Sequence, residues 1–104
     1  MKKFLTNVKA LAIIPARGGS KGIKKKNLKK LDGKPLIFYT IESAKKSKKF
    51  DRIIVSTDNK EIAKISKKFG ADVPFSRPPR ISGDDIPMIK VIKHAVDFLD
   101  RQST

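Results

Sequence analysis

Short continuous apolar runs alternate along this chain with longer stretches of helical periodicity. Leu11-Ala12-Ile13-Ile14 and Ile53-Ile54-Val55 are β-branched runs without polar interruption, the pattern of strands covered on both faces in a parallel sheet. They predict a first strand over about Ala10–Ala16 and a second over Arg52–Ser56. A short third strand is expected over Ala71–Phe75, stopped by Arg77-Pro78-Pro79. Between the strands, Ile37, Ile41 and Ala44 repeat on one face, with Leu36 and Thr40 alongside. Pro35 suits the first position of this helix, which should run to about Ser47. Asp58-Asn59-Lys60-Glu61 resembles a capping box, Ile62, Ile65 and Phe69 set the next apolar face, and Gly70 closes it as a left-handed cap. Asp84 and Asp85 mark the start of a last helix, with Pro87 in its first turn and Ile89, Ile92, Ala95, Val96 and Leu99 as its stripe.

Strand, helix, strand, helix, strand, helix is a parallel α/β half-sandwich, Rossmann-like, with right-handed crossovers. Ligands of such sheets sit beyond the carboxyl ends of the strands. The loops after Ala16, Ser56 and Phe75 all open on that edge.

The first of these loops is rich in candidate chemistry. Pro15-Ala16-Arg17-Gly18-Gly19-Ser20-Lys21-Gly22 turns an apolar strand abruptly into a glycine-rich cationic segment. Glycines at 18, 19 and 22 permit close approach, so their N–H groups can turn toward an anion. Arg17 and Lys21 add positive charge and Ser20 a hydroxyl donor, a set suited to a polyphosphate. A basic surface turn after a core strand would leave the same signature. Two better-known phosphate loops are excluded: the Walker spacing G-x-x-x-x-G-K-[ST] is absent, and the glycines do not fall as G-x-G-x-x-G. A lysine tract and a turn at Asp32-Gly33 follow, so the loop should wrap its ligand rather than open a helix.

Ile13 to Ile23, then Lys26-Asn27-Leu28, then Gly33-Lys34-Pro35-Leu36-Ile37, resembles the start of the acylneuraminate cytidylyltransferases, the CMP–sialic acid synthetases and their relatives. The likeness continues through Phe50-Asp51-Arg52-Ile53-Ile54-Val55-Ser56-Thr57-Asp58, Ile62-Ala63, Gly70-Ala71-Asp72-Val73-Pro74-Phe75 and Arg77-Pro78, covering roughly residues 10 to 98. It implies a nucleotide-diphospho-sugar transferase fold. The implied reaction moves CMP from CTP to a nonulosonic (sialic-acid-like) sugar acid, with release of pyrophosphate. By resemblance, Arg17, Ser20 and Lys21 hold the triphosphate, Ala16, Gly18, Gly19 and Gly22 shape the loop, and Lys26 and Asn27 complete the grip near phosphate and ribose. Arg17 and Lys21 would act in catalysis by cancelling charge on the leaving group. Arg77 aligns with the arginine that reads cytosine, and its forked donors suit a base carbonyl; the alternative is an arginine exposed before Pro78.

Two departures stand out. Lys24 replaces the proline that relatives carry after Gly-Ile, and Pro87 and Met88 occupy the region of a small hydroxyl residue that helps read the base. The family also implies Mg²⁺ and a homodimer. Its metal aspartates, much of its sugar pocket and its dimerisation element come from a second half, so no metal ligand is assigned here. The expectation is therefore a loose leader over residues 1–9 and, over 10–104, the CTP-binding N-terminal half of an enzyme about twice as long. A nucleotide-binding module without turnover and a 3-deoxy-manno-octulosonate-type cytidylyltransferase are the competing readings.

Composition narrows the classes. The 104 residues contain no cysteine, which removes disulfides and thiolate metal sites together. No apolar run approaches a membrane span, and the basic N-terminus lacks a secretory apolar core, so a cytoplasmic protein without membrane contact is expected. The formal charge of +15 raises nucleic-acid binding. However, the lysines are dispersed without interleaved aromatics, and only residues 21–34 concentrate charge, with seven lysines against Asp32. Local phosphate attraction plus solvated helix faces is the favoured reading, with no specific nucleic acid.

The remaining candidates have structural explanations. Asp58 could meet a ribose or metal but is read first as a helix cap. Asp84 and Asp85 are read as helix-dipole partners before a metal pair. His94, the only histidine, is read as a partly buried helix residue.

Overall fold

The computed structural model describes residues 10–19 and 26–102. The leader over residues 1–9 and the loop positions Ser20, Lys21, Gly22 and Lys24 therefore lie outside the described residues. Strand β1 spans Leu11–Pro15 and pairs in parallel with β4, Arg52–Ser56, in the register Leu11↔Arg52 to Pro15↔Ser56. At the start of the ladder, Asp51 N–H donates to the Ala10 carbonyl and Asp51 Oδ2 accepts from Ala10 N–H, each at 2.9 Å.

A hairpin follows that the sequence announced only as a turn. Strands β2, Lys30–Leu31, and β3, Lys34–Pro35, pair antiparallel around Asp32 and Gly33, whose φ values are 52° and 80°. Two successive positive φ angles are what a tight right-twisted hairpin turn requires, and Asp-Gly supplies them. Pro35 is thus the last hairpin residue and the N-cap of helix α1, Leu36–Ser47, not its first helical residue. Ile37 and Ile41 of α1 are fully buried.

Helix α2 spans Lys60–Lys68 and ends in a paired reverse turn. Gly70, at φ 98°, donates to the Lys67 carbonyl, and Ala71 N–H reaches back to that of Ser66. The chain then meets the free edge of β4, but only as a single parallel bridge, Ile54↔Asp72. Asp72 N–H donates to the Ile53 carbonyl at 2.8 Å and its own carbonyl accepts from Val55 N–H at 2.9 Å. The expected third strand stops there because Pro74 has no N–H to continue a ladder. Pairing resumes at Arg77, whose N–H donates to the Thr57 carbonyl at 2.8 Å.

Helix α3, Met88–Gln102, starts after the Asp84–Asp85 pair, and Pro87 lies just outside its first turn. Its buried face is Val91, Ala95 and Leu99, whereas Ile89 is 68 % and Ile92 38 % exposed. The predicted stripe shared Ala95 and Leu99 with this face but was rotated toward solvent at its N-terminal end. A helix carrying apolar residues on two faces offers periodicity two solutions, and packing against Phe75 selects one.

The sheet is covered on both sides, as its two-sided apolar runs required. Val55, with Ile14 and Ile53 alongside, packs into one cluster with Ile37 and Ile41 of α1 and Ile62 of α2. Ile54, with Leu11 and Ile13, packs into the other with Phe75 and with Ala95 and Leu99 of α3. Adjacent residues of one strand thus serve opposite faces. No helix among the described residues is long and apolar enough to cross a membrane.

His94 stands edge-on to Phe75, ring centroids 4.7 Å apart, and its Nδ1 is buried with no hydrogen-bond partner. Burial, followed by the charges of Arg80, Arg101 and Arg77, holds its pKa below 6.5, with Asp97 opposing. A depressed folded-state pKa means the unfolded chain binds the proton more readily, so stability is full above 6.5 and falls as pH drops below it. Denaturant midpoints measured between roughly pH 7.5 and about 5.5, above the carboxylate range, should fall in the wild type and flatten in His94→Leu. An unchanged slope in the variant would assign the effect elsewhere.

Candidate functional site

The register of β1 and β4 places the two strand ends side by side, and Ala16 N–H extends the ladder by donating to the Ser56 carbonyl at 2.9 Å. Ala16 is buried beneath the loop. The chain then leaves β1 at Arg17 and leaves β4 at Thr57, and the first cross-link between these exits involves a carboxylate. Gly18 N–H donates to Asp58 Oδ1 at 2.9 Å. Asp58 is therefore not the cap of α2. That role belongs to Asn59, whose Oδ1 accepts from Ile62 N–H at 2.9 Å, while Asn59 N–H donates to Thr57 Oγ1. The cap shifts by one residue because Asp58 is drawn across to the β1 loop.

Gly18 explains itself here. A Cβ at this position would lie 2.9 Å from the Asn59 Cβ and 2.7 Å from its Nδ2. The close approach anticipated for the loop glycines is thus to the start of α2. Among the described residues Gly19 has nothing within 4 Å of its Cβ position.

Arg77 is 3 % exposed, which removes the reading of an arginine standing in solvent before Pro78. Its Nε donates to Ser56 Oγ at 3.1 Å and its Nη2 to the Ser56 carbonyl at 2.7 Å, so the end of β4 grips the guanidinium by two of its nitrogens. Nη1 remains as the donor not committed to Ser56. Burial lowers the pKa of Arg77; Asp58 raises it and Arg17 lowers it further. A guanidinium titrates so far above neutrality that the group keeps its charge despite this lowering.

Arg17 closes the ring from the opposite side. Its Nη1 donates to Asp84 Oδ1 at 2.7 Å and to the Ser82 carbonyl at 3.3 Å. Asp84 thus pairs with the β1 loop, not with the dipole of α3. Asn27 lies in a 3₁₀ turn, Lys26–Leu28, and its Nδ2 donates to the Arg17 carbonyl at 3.4 Å. Together these residues line a cavity of about 290 Å³: Arg17, Lys26, Asn27, Arg77 and Asp84 give it polar walls, while Pro15, Ile86, Met88 and Val91 give it apolar ones. Such a volume is at the lower end of small-molecule sites.

Of the residues singled out from sequence, Arg17, Lys26, Asn27 and Arg77 line this one cavity, drawn from the connection between β1 and β2 and from the segment between α2 and α3. Met88, one of the two departures, also lines it and offers a thioether where a hydroxyl was expected. Sequence reasoning missed Ser56 as the holder of Arg77 and Asp84 as the holder of Arg17. The first has no local signal, since its partner is 21 residues away. Among the described residues no group of three or more His, Cys, Asp or Glu could hold a metal ion. Asp58 and Asp84 each commit one oxygen, to Gly18 N–H and to the Arg17 guanidinium.

Comparison with known proteins places the geometry in context. A family model described as Cytidylyltransferase matches residues 11–101. The chain is 44 % identical over 96 residues to the pseudaminic acid cytidylyltransferase of Campylobacter jejuni, covering 92 % of this chain and 41 % of that protein. It is 44 % identical over 90 residues to the N-acylneuraminate cytidylyltransferase of Escherichia coli, covering 86 % and 21 %. A CMP-N,N'-diacetyllegionaminic acid synthase of Legionella pneumophila is 42 % identical over 85 residues, covering 82 % and 37 %. The chain thus spans about two fifths or less of the length of these curated relatives.

The glycine geometry makes a direct prediction. Gly18→Ala must displace Asn59 and with it the cap of α2, destabilising the chain by about 1–3 kcal/mol, as overpacking does. Gly19→Ala meets open space and should stay within about 0.5 kcal/mol of wild type. Thermal unfolding of the two variants side by side reads the difference, and equal midpoints would contradict it.

Proposed function

Since this chain belongs to the cytidylyltransferase family, we propose that it binds CTP and supplies the nucleotide-binding part of an enzyme that transfers CMP to a nonulosonic sugar acid. The observation that carries this reading is the convergence of Arg17, Lys26, Asn27 and Arg77 on one cavity at the carboxyl ends of β1 and β4. The acceptor class follows from the relatives, whose names specify pseudaminic, N-acylneuraminic and legionaminic acids.

On this reading the anomeric hydroxyl of the sugar acid attacks the α-phosphorus of CTP. The bond from that phosphorus to the bridging oxygen breaks, and pyrophosphate departs with the electron pair. Arg17 sits at the end of β1 beside the cavity, where its charge offsets the negative charge that builds on the departing oxygens. Lys21, outside the described residues, would add a second cation to the same loop. Lys26 and Asn27 would hold phosphate and ribose. Arg77, fixed by Ser56, would offer Nη1 to the carbonyl of the cytosine ring, and a rigidly held donor discriminates better than a mobile one. Magnesium would supply further positive charge for this chemistry. A reaction that draws on CTP would suit the cytoplasm.

The test is a CTP titration of the isotope-labelled chain followed by backbone amide NMR, with ATP at matched salt. Saturable CTP-selective shifts at Arg17, Asn27 and Arg77 are expected. Equal shifts for ATP that fade with added salt would reduce the site to a basic loop.

A further inference from the structure

The geometry points to Asp84 as a positioning residue for Arg17. A carboxylate on the wall of a cavity meant for a triphosphate is out of place on charge alone, and in a chain of formal charge +15 it could have been omitted. Its contact explains it. One amine of Arg17, Nη1, carries both bonds to the Ser82–Asp84 segment. Among the described residues Nη2 and Nε make no hydrogen bond, so the tether consumes one corner of the guanidinium and leaves the other donors for an anion. The anchor is itself fixed: Ser82 Oγ donates to the Pro78 carbonyl at 2.8 Å and Ser82 N–H to that of Pro79 at 3.1 Å. The 3₁₀ turn Pro79–Ile81 buries Ile81, and the segment begins at Arg77, which Ser56 holds. One short segment therefore sets both arginines of the cavity. The Arg17 and Asp84 side chains are 22 % and 39 % exposed, so solvent screens their attraction and the pair matters for direction more than for stability.

This inference rests on the nucleotide-binding reading, and a nucleotide-free probe separates the two. Binding of inorganic tripolyphosphate is measured by calorimetry for wild type, Asp84→Ala, Asp84→Asn, Arg17→Ala and the Arg17→Ala/Asp84→Ala pair, with CTP and ATP run on the wild type. Asp84→Ala should weaken tripolyphosphate binding about tenfold although it removes a negative charge, because an untethered arginine must be ordered by the ligand. Asp84→Asn, which keeps an acceptor, should recover most of the loss. In the Arg17→Ala background, Asp84→Ala should cause no further loss. Tighter binding by Asp84→Ala, or a loss that persists without Arg17, overturns the positioning role. Tripolyphosphate binding without preference for CTP over ATP would overturn the cytidylyltransferase reading and leave the Asp84 result standing. Absence of binding to either probe would overturn both.

Discussion

The parallel pairing of β1 with β4 is the constraint from which the site follows. Its register, Leu11↔Arg52 through Pro15↔Ser56, cannot slip by one residue without exchanging the faces of the strands. Slippage of β4 would take Ile54 from the α3 side and Val55 from the α1 and α2 side. Because both faces are buried, such a slip would strand apolar groups of different shape against the wrong helices. With the register held, two chain exits fall next to each other, and everything polar at the site is built across that gap. Gly18 reaches Asp58, Arg77 reaches Ser56, and Arg17 reaches the segment that Arg77 begins.

Within that frame, the electrostatics are more selective than the net charge suggests. A glycine-rich cationic loop invites the idea that all its donors await a ligand. Gly18 N–H does not, because Asp58 has taken it. The exposed carboxylate of Asp58 satisfies this amide within the fold. The consequence is a narrower set of groups for an anion. Among the described residues these are the Arg17 donors not turned to Asp84, together with Lys26 and the Asn27 amide on the adjoining turn.

The sequence carried the elements whose signals are local. The β-branched runs, the Ile37–Ile41 face, the Asp32-Gly33 turn and the Gly70 cap were all legible, because each depends on residues within one turn or one strand. The loops that gather at the strand ends were legible too, from the general placement of ligands in parallel sheets. What escaped was decided by partners distant in sequence. Asn59 rather than Asp58 caps α2 because Gly18, 40 residues before Asp58, claims the carboxylate. The third strand shrank to one bridge at Asp72 once Pro74 interrupted the ladder. The buried face of α3 runs through Ala95 and Leu99, which pack against Phe75, and no periodicity within residues 88–102 encodes where Phe75 will be.

The two arginines of the cavity differ in a way that bears on the division of work between them. Arg77 is 3 % exposed and held through Nε and Nη2, so its orientation is set before any ligand arrives. Only a guanidinium suits that place. Burial lowers its pKa, yet the charge of a guanidinium survives, whereas an ammonium desolvated to the same degree shifts toward neutrality and lacks the fork that meets both Ser56 oxygens. Arg17 is tied at one nitrogen and more open to solvent, so it can swing about that tether through a limited arc. A fixed arginine suits recognition of a rigid base edge, which demands direction. A tethered one suits phosphate oxygens whose positions change as a bond breaks, because it can follow them without being lost to solvent. One short segment, residues 77–84, contributes the first and tethers the second, braced between the ends of two strands.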